Sequence, residues 1–309
     1  MDAMAFHSPV RLGARRRALT ALAVSVMSCG ITAGCAAPRG GPPLPDPPGP
    51  PRQYVCHAAE GAIVVDGRLD EPAWQAASWS EPFVDISGRG RPPPAWETRM
   101  KLTWDREALH VAARLEEPHV WATLRQRDAI VFQDNDFEVF IDPDGDGRDY
   151  HEIEINALGT VFDLLLRRTY REGGPALHDW NLEGLRAAVF VDGTLNDPRD
   201  VDRGWSVEMS LPWRSMISRG ATTHPPGPPA VGDRWRMNFS RVEWQVTIGP
   251  DGYARVPGRA EDNWVWSPQG LVDMHLPARW GIVQFAGPAT GNSCAWPPPP
   301  ARAPAGRGR

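Results

Sequence analysis

Asp136-Phe137-Glu138-Val139-Phe140-Ile141-Asp142 and, one acidic turn later, His151-Glu152-Ile153-Glu154-Ile155-Asn156 are the two runs that decide the fold class. Successive side chains of a strand point to opposite faces. Phe137, Val139 and Ile141 therefore share one side, and Glu138 shares the other with Phe140 and Asp142. In the second run His151, Ile153 and Ile155 separate in the same way from Glu152, Glu154 and Asn156. Each run is predicted to be a strand with one buried face. If the two pair through the turn between them, Glu138, Glu154 and Asn156 fall on one polar surface.

Working outward, further short β-branched and aromatic runs occur at 63–65, 100–104, 109–115, 161–167, 186–191, 205–211, 234–242 and 281–285. Gly, Pro and Asp-rich turns separate most of them, and no helical period is long enough for parallel βαβ units. This pattern predicts an all-β chain, a single antiparallel β-sandwich of jelly-roll or Greek-key type. One or two short helical turns are expected, at 71–77 and 212–218, the latter with Pro212 near its start.

Composition agrees with a globular body. Of 309 residues, 41% are hydrophobic and 23% charged, enough for a buried core. Fourteen tryptophans against four tyrosines point to flat apolar surfaces, in a core or under a ligand. The prolines concentrate at 38–51, 225–229 and 297–304, marking edges and linkers rather than a uniform low-complexity chain. A net charge of -5 without a basic cluster excludes a nucleic-acid footprint.

The first 34 residues read as an export signal: Arg11, Arg15, Arg16 and Arg17 precede an apolar run that ends in small residues. The closing Thr32-Ala33-Gly34-Cys35 resembles a bacterial lipobox, which makes Cys35 the expected lipidated first residue of an envelope lipoprotein held to a membrane by its N-terminal anchor. Removing that signal takes away four arginines and Asp2 and changes the net charge from -5 to -8. Residues 35–52 are expected to be a Pro/Gly-rich tether, 53–287 the sandwich, and 288–309 a largely disordered tail. Cys56 and Cys294 bracket the folded region; in an oxidising compartment they are expected to form a disulfide, two free thiols being the other reading.

Asp142-Pro143-Asp144-Gly145-Asp146-Gly147 matches the first half of an EF-hand loop, with oxygen donors at alternate positions. Its second half does not match, and both flanks read as strands, so a helix-loop-helix sensor is rejected. A structural Ca²⁺ bound by Asp142, Asp144, Asp146 and Asp149 is expected, against an exposed Asp/Gly turn that solvates itself.

Three segments in order, Ile63 to Trp74 with its Asp66-Gly67 and Asp70-Glu71-Pro72, Lys101 to Ala113, and Asp136 to Asp142, together with Trp266-Ser267-Pro268 and Pro277-Ala278-Arg279-Trp280-Gly281, resemble family 9 carbohydrate-binding modules and their bacterial envelope relatives. The resemblance implies a calcium-bearing β-sandwich that binds a glycan or oligosaccharide, clamping a terminal sugar between two tryptophans. Aromatic planes suit the C–H faces of a pyranose, and polar side chains suit its hydroxyls. It places Phe132 at the first clamp tryptophan, Glu138 at a hydrogen-bonding glutamate, Glu154 at an arginine and Asn156 at an asparagine. The second clamp position falls at Met274, beside His275, so one wall is a phenylalanine and the other is lost. Trp264 is a candidate replacement, Trp121, Arg127 and Asp128 would frame the mouth, and Trp74, Trp104, Trp213 and Trp266 read as core.

Two other functions compete with non-catalytic sugar binding. A glycoside hydrolase, or an accessory component of a carbohydrate-degrading system, would use Glu152 and Glu154, yet no acid is visibly set in the apolar surroundings that raise a catalytic pKa. A haem-binding sandwich would draw on His110, His151, Met209 and Met237. A serine hydrolase finds no G-x-S-x-G elbow.

Overall fold

The computed structural model describes residues 44–88, 90–216, 227–250 and 252–289. The signal segment, Cys35 and Cys294 lie outside the described residues. The strands are β1 (Gln53–Ala58), β2 (Val84–Asp85), β3 (Thr98–Trp104), β4 (Ala108–Glu116), β5 (Asp136–Asp142), β6 (Tyr150–Asn156), β7 (Val161–Leu166) and β8 (Ala176–Leu177). They continue with β9 (Arg186–Asp192), β10 (Gly204–Pro212), β11 (Arg234–Glu243), β12 (Val246–Gly249), β13 (Gly252–Arg255), β14 (Asp262–Val265) and β15 (Gly281–Ala286). A single short helix, α1 (Pro72–Ala76), and four 3-10 turns complete the described elements.

Thirteen strands form one continuous curled sheet in the order β8-β7-β6-β5-β11-β15-β1-β3-β4-β10-β9, with β14 and β2 attached beside β11. The two halves of the path pack on each other as a sandwich. Val139, Ile141 and Phe239 from one half and Val111, Ala113, Val207 and Met209 from the other meet in the main core. The expectation of a purely antiparallel sandwich needs correction, because β1 runs parallel to both β15 and β3 and the sheet is mixed. No hairpin joins β1 to either neighbour, and the 59–97 connection is long enough to return the chain to the same end before β3 starts. The indole of Trp104 pins this parallel corner, donating to Cys56 O at 3.1 Å and Ala286 O at 3.0 Å.

The expected strand at 63–65 is also corrected. This stretch pairs with no strand; Val64 is exposed and its N–H reaches a Glu71 carboxylate oxygen at 3.2 Å. The next residues are instead held by one buried acid. Glu208 accepts from the backbone of Asp66 (3.0 Å) and Gly67 (3.1 Å) and from the Trp74 indole (2.8 Å). Gly67 is required at this point: its φ is +85, and a Cβ would lie 2.6 Å from the Phe190 backbone. The α1 turn thereby lays Trp74 over Ala112, with Ile63 and Leu69 beside it.

Trp104, Trp213 and Trp266 are core residues, as the sequence indicates. Cys56 is a fully buried thiol. The end of the Pro/Gly-rich segment lies along the body: Arg52 donates to Pro82 O at 2.7 Å, and the Arg279 guanidinium donates to Pro45 O. Among the described residues no helix is long and apolar enough to cross a membrane.

Candidate functional site

The alternation of β5 and β6 builds a cavity of about 390 Å³ on the face of the sheet away from the main core. In the cross-strand register Glu138 stands opposite Glu154 and Phe140 opposite Glu152; on the next strand Glu154 faces Phe162 and Glu152 faces Leu164. The floor is therefore a chequer of carboxyl groups and apolar side chains. Like charges set opposite each other repel, and burial adds to this by disfavouring the charged form. Burial drives the Glu138 carboxyl up to about 7. Glu152 and Glu154 are raised well above their ordinary value by burial and then by the charge of Glu138. The sequence reading that no acid sits in pKa-raising surroundings is thus overturned; the apolar neighbours come from β7 and β11, which no local pattern in the chain reveals.

Two exposed aromatic rings stand at the cavity, Phe132 (40% exposed) and Tyr170 (50% exposed). Phe132 lies on the 3-10 turn Val131–Gln133 that leads into β5. Its N–H donates to Glu154 Oε2 at 3.0 Å, and its carbonyl accepts from the Trp244 indole at 2.8 Å. Glu154 therefore anchors the plate. Tyr170 begins the turn Tyr170–Glu172, which Thr169 caps. Its ring meets His275 edge-on at 4.4 Å. His275 is fixed in turn by a hydrogen bond between its Nδ1 and the Tyr150 hydroxyl at 3.0 Å, and burial holds its pKa down at about 4.

Of the seven residues expected to bind sugar, Phe132, Glu138, Glu154, Met274 and His275 line this one cavity. Two do not. Asn156 is fully buried, donating to Leu124 O and Asp134 Oδ2 (both 2.9 Å) and accepting from Leu158 N (3.1 Å) and Thr160 N (3.0 Å). It ties the β6–β7 turn and has no hydrogen-bonding capacity left for a ligand. Trp264 pairs in register with Arg241, on the core face of β14, and its ring packs under the Arg241 guanidinium at 5.1 Å. Period two decides the matter: the neighbour Asn263, not Trp264, faces the cavity. Nor do Trp121, Arg127 and Asp128 frame the mouth; Trp121 is buried and Arg127 pairs with the buried Asp163.

Sequence reasoning missed Tyr170, and it weighed Glu152 only for hydrolysis. An aromatic residue ahead of Glu172-Gly173-Gly174-Pro175 marks a ring carried on a turn, but nothing in the chain says which cavity that turn borders.

Residues 65–227 match the model of the family described as carbohydrate family 9 binding domain-like, more than half of the chain. The chain belongs to that family. Among solved structures, this family 9-like domain is similar to a candidate carbohydrate-binding protein of Bacteroides uniformis, at 17% identity and a TM-score of 0.54 over 76% of this chain and 99% of that one. It is also similar to a family 9 carbohydrate-binding module of Caldicellulosiruptor kristjanssonii in complex with glucose, at 15% identity and a TM-score of 0.51 over 78% of this chain and 98% of the other. At such identities these likenesses establish the fold. No curated protein matches the sequence.

The family 9-like domain also carries a group of acids at the β5–β6 turn. Ligand oxygens of Asp142, Asp144 and Asp146 lie within 4.8 Å of one another, a set that could hold a hard cation. Asp142 is buried and accepts from Gly145 N at 3.1 Å and Gly147 N at 2.9 Å. Burial, then the charges of Asp144 and Asp146, raise its carboxyl to about 7. Asp149 stands apart from the trio and pairs with Arg167 at 2.6 Å. The haem alternative finds no support: His151 hydrogen-bonds Met216 O and stacks on Trp180, His110 pairs with Asp105 at 3.0 Å, and Met209 and Met237 pack in the core.

Proposed function

We propose that the domain binds a saccharide in the cavity over β5, β6 and β7 and performs no chemistry on it. The supporting observation is the pairing of two solvent-exposed rings, Phe132 and Tyr170, with a floor of carboxyl groups interleaved with Phe140, Phe162 and Leu164. Rings of this kind cover the C–H faces of a sugar, and carboxyl oxygens accept from its hydroxyls. Tyr170 takes the part of the second wall, a place the family resemblance alone assigns to Met274.

Hydrolysis fits poorly. A glycosidase sets its two carboxyl groups on either side of the scissile bond. Glu138, Glu152 and Glu154 all rise from one floor, and Glu154 already holds the backbone of Phe132. Calcium at Asp142, Asp144 and Asp146 would neutralise that turn and stiffen the loop joining two floor strands. The lipid anchor at Cys35 would place the domain in the bacterial envelope, outside the cytoplasm; mass spectrometry of the mature N-terminal peptide tests this.

The binding proposal is tested on a glycan array followed by calorimetry. Phe132→Ala lowers affinity for the best glycan at least tenfold, about 1.4 kcal/mol. Unchanged affinity removes Phe132 from the site, and a parent protein that binds no glycan sinks the reading.

A further inference from the structure

The sheet carries buried charge on both faces, and the two faces treat it differently. On the core side Arg241 lies between two acids, its Nη2 2.6 Å from Glu117 Oε2 and 2.7 Å from Glu243 Oε2, with further bonds to Thr98 and Glu116. Every charge there has a partner within the chain. The cavity side is built otherwise. Glu138, Glu152, Glu154, Glu261 and Asp273 line it, and no lysine or arginine does among the described residues.

The partners of these acids show where charge is left over. Asp273 is matched by Arg171 at 2.7 Å, and Glu154 Oε2 is occupied by the Phe132 N–H. Asp136 sits directly beneath, with an oxygen within 4.8 Å of Glu138 and Glu154. One of its oxygens accepts from Val242 N at 3.1 Å; the other is buried without a hydrogen-bond partner. Glu152 is only 6% exposed, its side chain lines the cavity, and no described residue donates a hydrogen bond to its carboxyl group. A buried acid of this kind is costly unless something pairs with it. Of the two histidines at the wall, His275 is committed to Tyr150, and His178 lies stacked on Phe162 at 5.7 Å.

We propose that the saccharide taken by this cavity carries a positive charge, a protonated amine such as that of a 2-amino-2-deoxy sugar, received by Glu152 and Glu138. The inference rests on the saccharide reading above and narrows it to a ligand class. A bare divalent cation would use the compact set of Asp136, Glu138 and Glu154. It would leave Glu152, which stands outside that set, and the two exposed rings without a role. An aminated ring uses all of them, its apolar face on an aromatic plate and its ammonium on the floor.

The test compares three β-1,4-linked tetramers with the same backbone, differing only at C2: glucosamine, N-acetylglucosamine and glucose. Each is titrated calorimetrically into the full chain. The glucosamine tetramer is expected to bind at least tenfold tighter than either neutral one, the scale of a lost charge-assisted hydrogen bond. Glu152→Gln should shrink that preference to within about threefold. Glu138→Gln is a second variant should the first fail to fold. Phe132→Ala must weaken the glucosamine tetramer too; binding that survives it is diffuse attraction to an acidic protein and overturns the proposal. Equal binding of all three tetramers overturns the charge inference and leaves the saccharide reading standing. If no tetramer binds while calcium gives a heat that Glu138→Gln abolishes, the cluster is a metal site and the inference fails.

Discussion

Gly281 lies against the Trp266 ring so closely that an added Cβ would fall 2.1 Å from Cζ3 and 2.6 Å from Cη2. Trp266 is itself 1% exposed and meets Phe239 and Tyr54, so the indole has nowhere to retreat. Gly281→Ala is therefore predicted to destabilise the fold by about 2–3 kcal/mol through overpacking, measured by urea unfolding. A loss under about 0.5 kcal/mol, the range of ordinary surface changes, would show that the core can absorb the methyl. At this scale the sequence is readable only in part. Glu138 and Glu154 could be placed because alternation and the resemblance agree on them, and Phe132 by the resemblance alone, since it lies on a turn ahead of β5. Trp264 could not, because an attractive residue type one position out of phase points into the core. Tyr170 sits on a 3-10 turn, and turns have no period to read.

The β5–β6 hairpin shows what a single element contributes. Its two strands were legible because their apolar residues alternate, and the same alternation that built the core laid Glu138, Glu152 and Glu154 on the other face; the expectation of one buried face is corrected, since every residue of both strands is buried. The raised pKa values were not legible, since they depend on Phe162 and Leu164 from β7 and on the walls contributed by the 130–132 and 272–275 segments. Nor was β1, six residues whose partners are the last strand and β3; parallel pairing over such distances leaves no local signature. The turn of the hairpin carries its own prediction. Calcium at about 100 times its dissociation constant should stabilise the protein by about 2.7 kcal/mol and raise Tm by roughly 5–10 °C in scanning calorimetry. Asp144→Asn should remove most of that rise. A melting temperature indifferent to calcium and to chelator would leave the turn closed by Gly145 and Gly147 alone.

For the whole molecule the unneutralised face of the sheet sets how stability varies with pH. Glu138 is raised from 4.5 to about 7 in the folded chain. It is faced by Asp136 on its own strand and by Glu152 and Glu154 on β6, and all three are raised in the same direction by burial. From β11 the neighbour opposite is Ser240, whose hydroxyl lowers the Glu138 value without supplying a charge. The native state thus retains protons that the unfolded chain releases, so stability falls as pH rises wherever the two differ. For Glu138 the favourable contribution is complete below its unfolded pKa, near 4.5, and is lost as pH passes through about 7. Urea unfolding should therefore give a free energy higher at pH 5 than at pH 8 by a few kcal/mol, since each tenfold difference in proton affinity between the folded and unfolded chain is worth about 1.4 kcal/mol. Glu138→Gln should raise the pH 8 value and flatten the curve, since the amide needs no proton to be neutral. A curve that stays level or climbs from pH 5 to 8 would mean that these carboxyl groups ionise in the native state without penalty. A bound ammonium group works against the same slope, because it pairs with the ionised carboxylates. The glucosamine tetramer should consequently raise Tm most near pH 7, and less at pH 5, where the floor is protonated, or well above pH 8, where the amine itself has lost its proton.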